Sequence, residues 1–144
     1  ELGRIFEVSV ISFRENYLYT PLGREEFIGQ YRALQAKVRP EFVLLAEQAG
    51  RPIGYVFAIP DYAEAQRGAP VTTLIVKTLA VLPGRACAGL GALLLAEVHA
   101  AAARSGFRRA IHALMHESNR SRNLSAHYAR TIRRYTLFSR RLAP

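Results

Sequence analysis

Residues 71–92 read VTTLIVKTLAVLPGRACAGLGA, and the order of textures in this stretch decides the fold. Three β-branched residues open it, and Leu74, Ile75, Val76, Leu79 and Val81 continue it, which predicts a strand over 71–81 buried on both faces for part of its length. Pro83-Gly84 ends the strand. The run from Arg85 to Gly91 then leads into a long helix through Arg104, rich in Ala and Leu and stopped by Ser105-Gly106. A glycine-rich turn between a buried strand and a helix N-terminus is an anion site, because unpaired N–H groups and the positive end of the helix dipole converge there. Gly89 and Gly91 lack the Cβ atoms that would hold a phosphate off the backbone, although the same pair could serve helix–strand packing. A P-loop needs Lys and then Ser or Thr at its end, whereas Gly91 is followed by Ala92 and Leu93. A dinucleotide fold needs a third small residue and an early first strand, and neither is present.

Working toward the N-terminus, the loop 61–70 is polar, and 42–47 and 52–59 are β-prone segments joined by a tight turn at 48–51, so they should pair antiparallel. Apolar residues at helical spacing predict a helix over 2–13 and a second over 24–37, ending before Pro40. Toward the C-terminus, a strand is expected over 109–115, connected to the central strand by a βαβ crossover. A short helix over 121–130 and a last strand over 133–142 follow.

The chain has 144 residues, half of them apolar, enough for one domain spanning 1–144 with a real core. Its one cysteine, Cys87, cannot close an internal disulfide, and no CxxC pair suggests zinc; no metal site is expected. We find no run of about 18 apolar residues and no export leader, so the expectation is a soluble, cytoplasmic protein with no membrane partner. Because the chain opens at Glu1 without an initiator methionine, it reads as a piece of something longer. Residues 1–67 carry net −1 and residues 68–144 net +10, which gives the overall +9; the second half should attract anions such as cofactor phosphates. Of the 20 basic residues 18 are arginine, eight of them in the groups Arg108-Arg109, Arg120/Arg122, Arg133-Arg134 and Arg140-Arg141. A nucleic-acid partner is disfavoured, since aromatic interleaving on a sheet face and a recognition-helix signature are both lacking.

Val81-Leu82-Pro83 followed by Gly89 and Gly91, with the hairpin Val43 to Gly54 upstream, resembles the GNAT superfamily of N-acetyltransferases over about residues 1–142. The resemblance implies an α/β GNAT fold: a mixed, mostly antiparallel twisted sheet flanked by helices, with the family's first strand lying before Glu1. It implies acetyl-CoA as acyl donor, with backbone groups of Leu79, Ala80 and Val81 pairing with the pantetheine arm like an added strand. The loop residues Arg85, Ala86, Cys87, Ala88, Gly89, Leu90, Gly91 and Ala92 would hold the pyrophosphate, chiefly through N–H groups. Two positions depart from the family loop, where Ala86 replaces Gln or Arg and Cys87 replaces a glycine. Asn119, four residues after Met115, would contact the cofactor near the pantetheine. Tyr128 would be the general acid toward the leaving thiolate, or else a packed helix tyrosine. Glu117, or His116 beside it, is the candidate general base, or else a solvated loop residue. His99 and His112 read as structural, and Lys77 as a residue that either lines the acceptor side or snorkels. The expected function is acetyl transfer to an amine of a small molecule or peptide. The alternative is a non-catalytic GNAT-like module that binds CoA or a protein, and self-association into a homo-oligomer stays open.

Overall fold

The computed structural model describes residues 1–119 and 121–141. In chain order these form α1 (Leu2–Phe13), α2 (Arg24–Leu34), β1 (Val43–Gln48), β2 (Arg51–Pro60), α3 (Tyr62–Gln66), β3 (Thr73–Val81), α4 (Leu90–Arg104), β4 (Arg109–His112) and α5 (Ser121–Ala126). One sheet runs in the order β1-β2-β3-β4, antiparallel between the first three strands and parallel between β3 and β4 across the α4 crossover. The expected mixed, mostly antiparallel α/β sheet is therefore present.

β2 sorts the core by its period of two. Tyr55 and Phe57 point into a layer with Ile5, Val8 and Phe27 from α1 and α2, whereas Val56 and Ala58 point into a layer with Leu94, Leu95 and Val98 from α4. Helices thus cover both faces, as a sheet with apolar residues on both sides requires. An 18-residue window within Arg85–Arg104 has a mean hydropathy of 1.6, and the segment's length and composition would suit a bilayer span, contrary to the reading that no such stretch exists. Here Leu94, Leu95, Val98, Ala101 and Ala102 of this segment are buried in the α4 layer.

β3 carries a feature that the sequence reading missed. Leu74 and Val76 lie in the α4 layer, but so do Leu79 and Val81, while Ala80 lies in the α1 layer. Strict alternation cannot put even-numbered residues on both faces. The register explains it: Ala58 of β2 faces Val76 and Phe57 faces Thr78, so Lys77 is an extra residue, a β-bulge that re-aims everything after it.

Several expected boundaries shift. The second helix ends at Leu34 and tightens into a 3-10 turn at Gln35–Lys37. The loop 61–70 contains α3, capped by the Asp61 carboxylate accepting from the Ala63 N–H at 3.1 Å. The strand expected over 109–115 stops at His112. Residues 133–141 form no strand, and Tyr135, Leu137 and Phe138 are exposed; Tyr135, Leu137 and Ser139 do alternate, but among the described residues no neighbouring strand supplies a ladder to fix them. Leu142 and Arg120 lie outside the described residues.

Candidate active site

The site begins where β4 leaves β3. The two strands pair only from Thr73/Arg109 to Val76/His112, and the Ala113 N–H then donates to the Val76 carbonyl at 3.2 Å as a last rung. Beyond it, Lys77–Val81 have β2 on one side and, among the described residues, no strand on the other. The bulge decides which backbone groups face that gap. The Val76 carbonyl points toward β4, yet the Leu82 N–H points the opposite way, to Ile53 of β2 at 2.8 Å. After Lys77, even-numbered residues therefore turn their N–H and C=O to β2, and Leu79 and Val81 turn theirs to the gap. Ala80, expected to pair with a ligand, instead faces Tyr55 across the ladder, so the available edge is Leu79 and Val81. The Val81 carbonyl also accepts from the Ser12 hydroxyl of α1 at 3.1 Å.

At the end of this edge stands the glycine-rich loop. The amides of Cys87 and Ala88 are spent inside it, donating to the carbonyls of Gly84 and Arg85 at 3.2 and 3.1 Å, which removes two of the expected donors. The Leu93 N–H donates to the Gly89 carbonyl, closing the first helical turn of α4. No protein acceptor among the described residues takes the N–H groups of Ala86, Gly89, Leu90, Gly91 or Ala92; the last three open a fifteen-residue helix and Gly89 is its N-cap. The two glycines differ. Gly89 sits at φ 81° as the α4 N-cap, with open space where a Cβ would be, as an anion cradle needs. The Cβ position of Gly91 lies 3.2 Å from Leu124 Cδ1 and 3.7 Å from Leu79 Cδ2, so its missing side chain serves packing against α5 and β3, and only its N–H is left without a protein acceptor among the described residues. An open strand edge running into a cluster of unpaired amides fits an extended amide-bearing arm that ends in phosphates.

The gap between the strands is a cavity of about 330 Å³, lined among others by Lys77, Thr78, Leu79, His112, Met115, Asn119 and Ser125. Asn119 is thus brought to the cavity, where its Oδ1 accepts from the Ser121 N–H at 2.9 Å and stiffens the turn into α5. Glu117 is exposed and lies off the cavity wall; its carbonyl accepts from Arg122. His116 stacks on Tyr17 at 4.4 Å. Tyr128 is 60% exposed, outside the cavity lining. Of the arginine groups, Arg109 is tied to Glu64 at 2.8 Å.

Sequence reasoning missed the most connected polar side chains in the site. His112 Nδ1 lies 2.6 Å from Ser125 Oγ, and His112 Nε2 lies 3.0 Å from His99 Nε2. Burial lowers the pKa of both imidazoles, and His99 depresses His112 further, so both rings are neutral near pH 7. Nothing in the sequence joins residues 99, 112 and 125, since the α4 crossover and the splayed strand bring them together.

A second cavity, of about 190 Å³, opens between α1, α2 and the sheet and shares Phe13, Tyr19 and Thr78 with the first. Phe6, Phe27, Tyr31 and Tyr55 also line it, and its ionisable groups are phenols. Burial raises the pKa of Tyr31 and, most strongly, Tyr55, so these phenols stay neutral.

The sequence profile of the Acetyltransferase (GNAT) family matches residues 5–127. The chain belongs to this family. No curated protein sequence matches it at a significant level. Among solved structures, this GNAT chain is similar to aminoglycoside N-acetyltransferase AAC(6')-Iy in complex with CoA, with 17% identity over 97% of this chain and 88% of that one, at a TM-score of 0.65. A GNAT family acetyltransferase from Brucella melitensis, in complex with acetyl-CoA, is 23% identical over 83% of this chain and 73% of its own, at 0.58. PH1933 from Pyrococcus horikoshii OT3 is 13% identical over 88% and 78%, at 0.69. At these identities the likeness speaks for the fold alone.

Proposed function

We propose that this GNAT domain transfers an acetyl group from acetyl-CoA to an amine. The observation that carries the reading is the unpaired edge of β3 beyond its bulge, leading into the free amides at the start of α4. Leu79 and Val81 would pair with the amide-bearing arm of the cofactor, with Ser12 giving up the Val81 carbonyl. The N–H groups of Ala86, Gly89, Leu90, Gly91 and Ala92 would hold the diphosphate, helped by the α4 dipole and by Arg85 at the loop. Asn119 would border the arm from the opposite wall. When bound, the cofactor supplies an activated thioester carbonyl for an amine to attack. The protein orients that carbonyl, excludes water from it, and handles the protons.

The second cavity is the proposed acceptor site, because it meets the first at Thr78, beside the bulge. Aromatic rings and neutral phenols line it, and a polycation would find no carboxylate among them to balance its charge. This favours a small acceptor with a flat apolar body and an uncharged amine. Aminoglycosides fit less well, although the structural neighbour AAC(6')-Iy is an aminoglycoside N-acetyltransferase.

Calorimetry with acetyl-CoA and a thiol-release assay across aryl amines, alkyl amines and aminoglycosides test the reading together. Heat on binding and thiol release favouring aryl amines would support it; no heat at millimolar ligand would sink it. A CoA-binding module without catalysis is the second reading, favoured by the position of Tyr128 and Glu117 off the cavity, and it predicts heat with no thiol release.

A further inference from the structure

Ser125, His112 and His99 form a continuous line of hydrogen bonds from the cavity wall into the space between β4 and α4, at 2.6 and 3.0 Å. Ser125 is 7% exposed, and both it and His112 line the cavity beside Lys77, Thr78 and Leu79. Two neutral imidazoles joined through their Nε2 atoms can be hydrogen-bonded in only two ways. In the first, His112 Nε2–H donates to His99 Nε2, and His112 Nδ1 accepts from the Ser125 hydroxyl. In the second, His99 Nε2–H donates to His112 Nε2, and His112 Nδ1–H donates to Ser125 Oγ, whose own proton is then free to enter the cavity. The two patterns differ by one proton moved along the line, and both keep the His99–His112 and His112–Ser125 bonds.

We infer that Ser125 and His112, backed by His99, are the proton relay of this acyl transfer: the line takes the proton that the acceptor amine loses and returns one to the departing thiol. The inference rests on the acyl-transfer reading above. In the first pattern Ser125 Oγ accepts the amine proton and passes its own to His112 Nδ1. His112 passes Nε2–H to His99 Nε2, and His99 releases Nδ1–H to water. The relay then stands in the second pattern. As the C–S bond breaks, Ser125 gives its proton to sulfur and is refilled from His112 Nδ1, His112 from His99 Nε2, and His99 Nδ1 from water. One proton leaves nitrogen, one arrives at sulfur, and the line ends where it began.

Other ionisable groups nearby are less suited. Lys77 lines the same cavity from β3 but is not joined to the hydrogen-bonded line of Ser125, His112 and His99. The Tyr128 ring meets His99 and His112 edge-on at 6.0 and 6.1 Å from the segment after α5, mostly in solvent. Burial raises the Tyr128 pKa, and its hydroxyl is outside the cavity lining. His99 acts only through His112 and is a positioning residue.

The test needs no turnover. With ¹⁵N-labelled histidine, the ring resonances of His112 and His99 should move when CoA is added and stay in place with desulfo-CoA, which lacks the sulfur but keeps the diphosphate. Ser125→Ala should bind CoA with unchanged affinity and lose that difference. Identical His112 shifts with both ligands would overturn the relay and leave the cofactor site standing. Backbone amides at Gly89–Ala92 unmoved by either ligand would overturn the cofactor site and the relay with it. In the amine assay, Ser125→Ala and His112→Gln should each lower turnover by about 100-fold or more at unchanged CoA affinity. His99→Gln should cost less, and Ser125→Ala turning over at the parent rate would also sink the proposal.

Discussion

Gly89 and Gly91 lie two residues apart and should respond unequally to the same change. Gly89→Ala forces a side chain onto a left-handed N-cap in open space, so the cost is conformational, about 1 kcal/mol or somewhat more. Gly91→Ala presses on the tip of Leu124, a flexible side chain that can yield, while alanine's better helix propensity offsets the crowding; we expect a net change below about 1 kcal/mol. Urea titrations of both variants check the contrast. Tyr128→Phe should leave turnover unchanged in the amine assay, because the hydroxyl is outside the cavity lining. The glycine-rich turn was legible because glycine and helix formers act locally. The join of His99, His112 and Ser125 was not, since it depends on where a crossover helix and a splayed strand set down residues far apart in sequence.

At the scale of elements, the hairpin, the central strand and the α4 crossover followed from pattern alone, because each has a strong period and a clear stop. The bulge at Lys77 left no such trace: both faces of β3 are partly apolar, so a one-residue slip changes nothing in the hydrophobic pattern. Helix α3 was equally hidden, and its Glu64 now explains why the segment exists. The Glu64 carboxylate accepts from the N–H groups of Thr72 and Thr73, from the Thr73 hydroxyl, and from Arg109 of β4, fastening α3 across the start of β3. These bonds, led by the Thr72 amide, hold its pKa below the ordinary 4.5. Its stabilising effect is therefore full above about pH 4.5 and fades as pH falls through the lower folded-state value. Thermal melts between pH 6 and 3 should show this acid limb, and Glu64→Gln should flatten it. In the α4 layer, Phe42 is fully buried and meets Phe107 edge-to-face at 5.4 Å; Phe42→Ala should cost about 3–5 kcal/mol by chemical denaturation.

For the molecule as a whole, the charge asymmetry read from the sequence falls on the half that contains the glycine-rich loop, α4 and the splayed wall. CoA affinity should therefore fall as salt rises, measurably by calorimetry, and more steeply than that of dephospho-CoA, which carries less charge. The exposed alternating segment 133–141 shows the limit of pattern reading, because β-propensity without an adjacent ladder leaves Tyr135 and Phe138 in water.

The Ser12 hydroxyl on the Val81 carbonyl has a consequence for handling the protein. A half-strand of unsatisfied amides is the surface on which a second chain would most readily nucleate stacking, and a single side-chain clasp guards only one rung of it. Preparations stripped of nucleotide should turn cloudy on warming sooner than those kept saturated, and Ser12→Ala should widen that interval: for this enzyme the donor would double as its own protective strand.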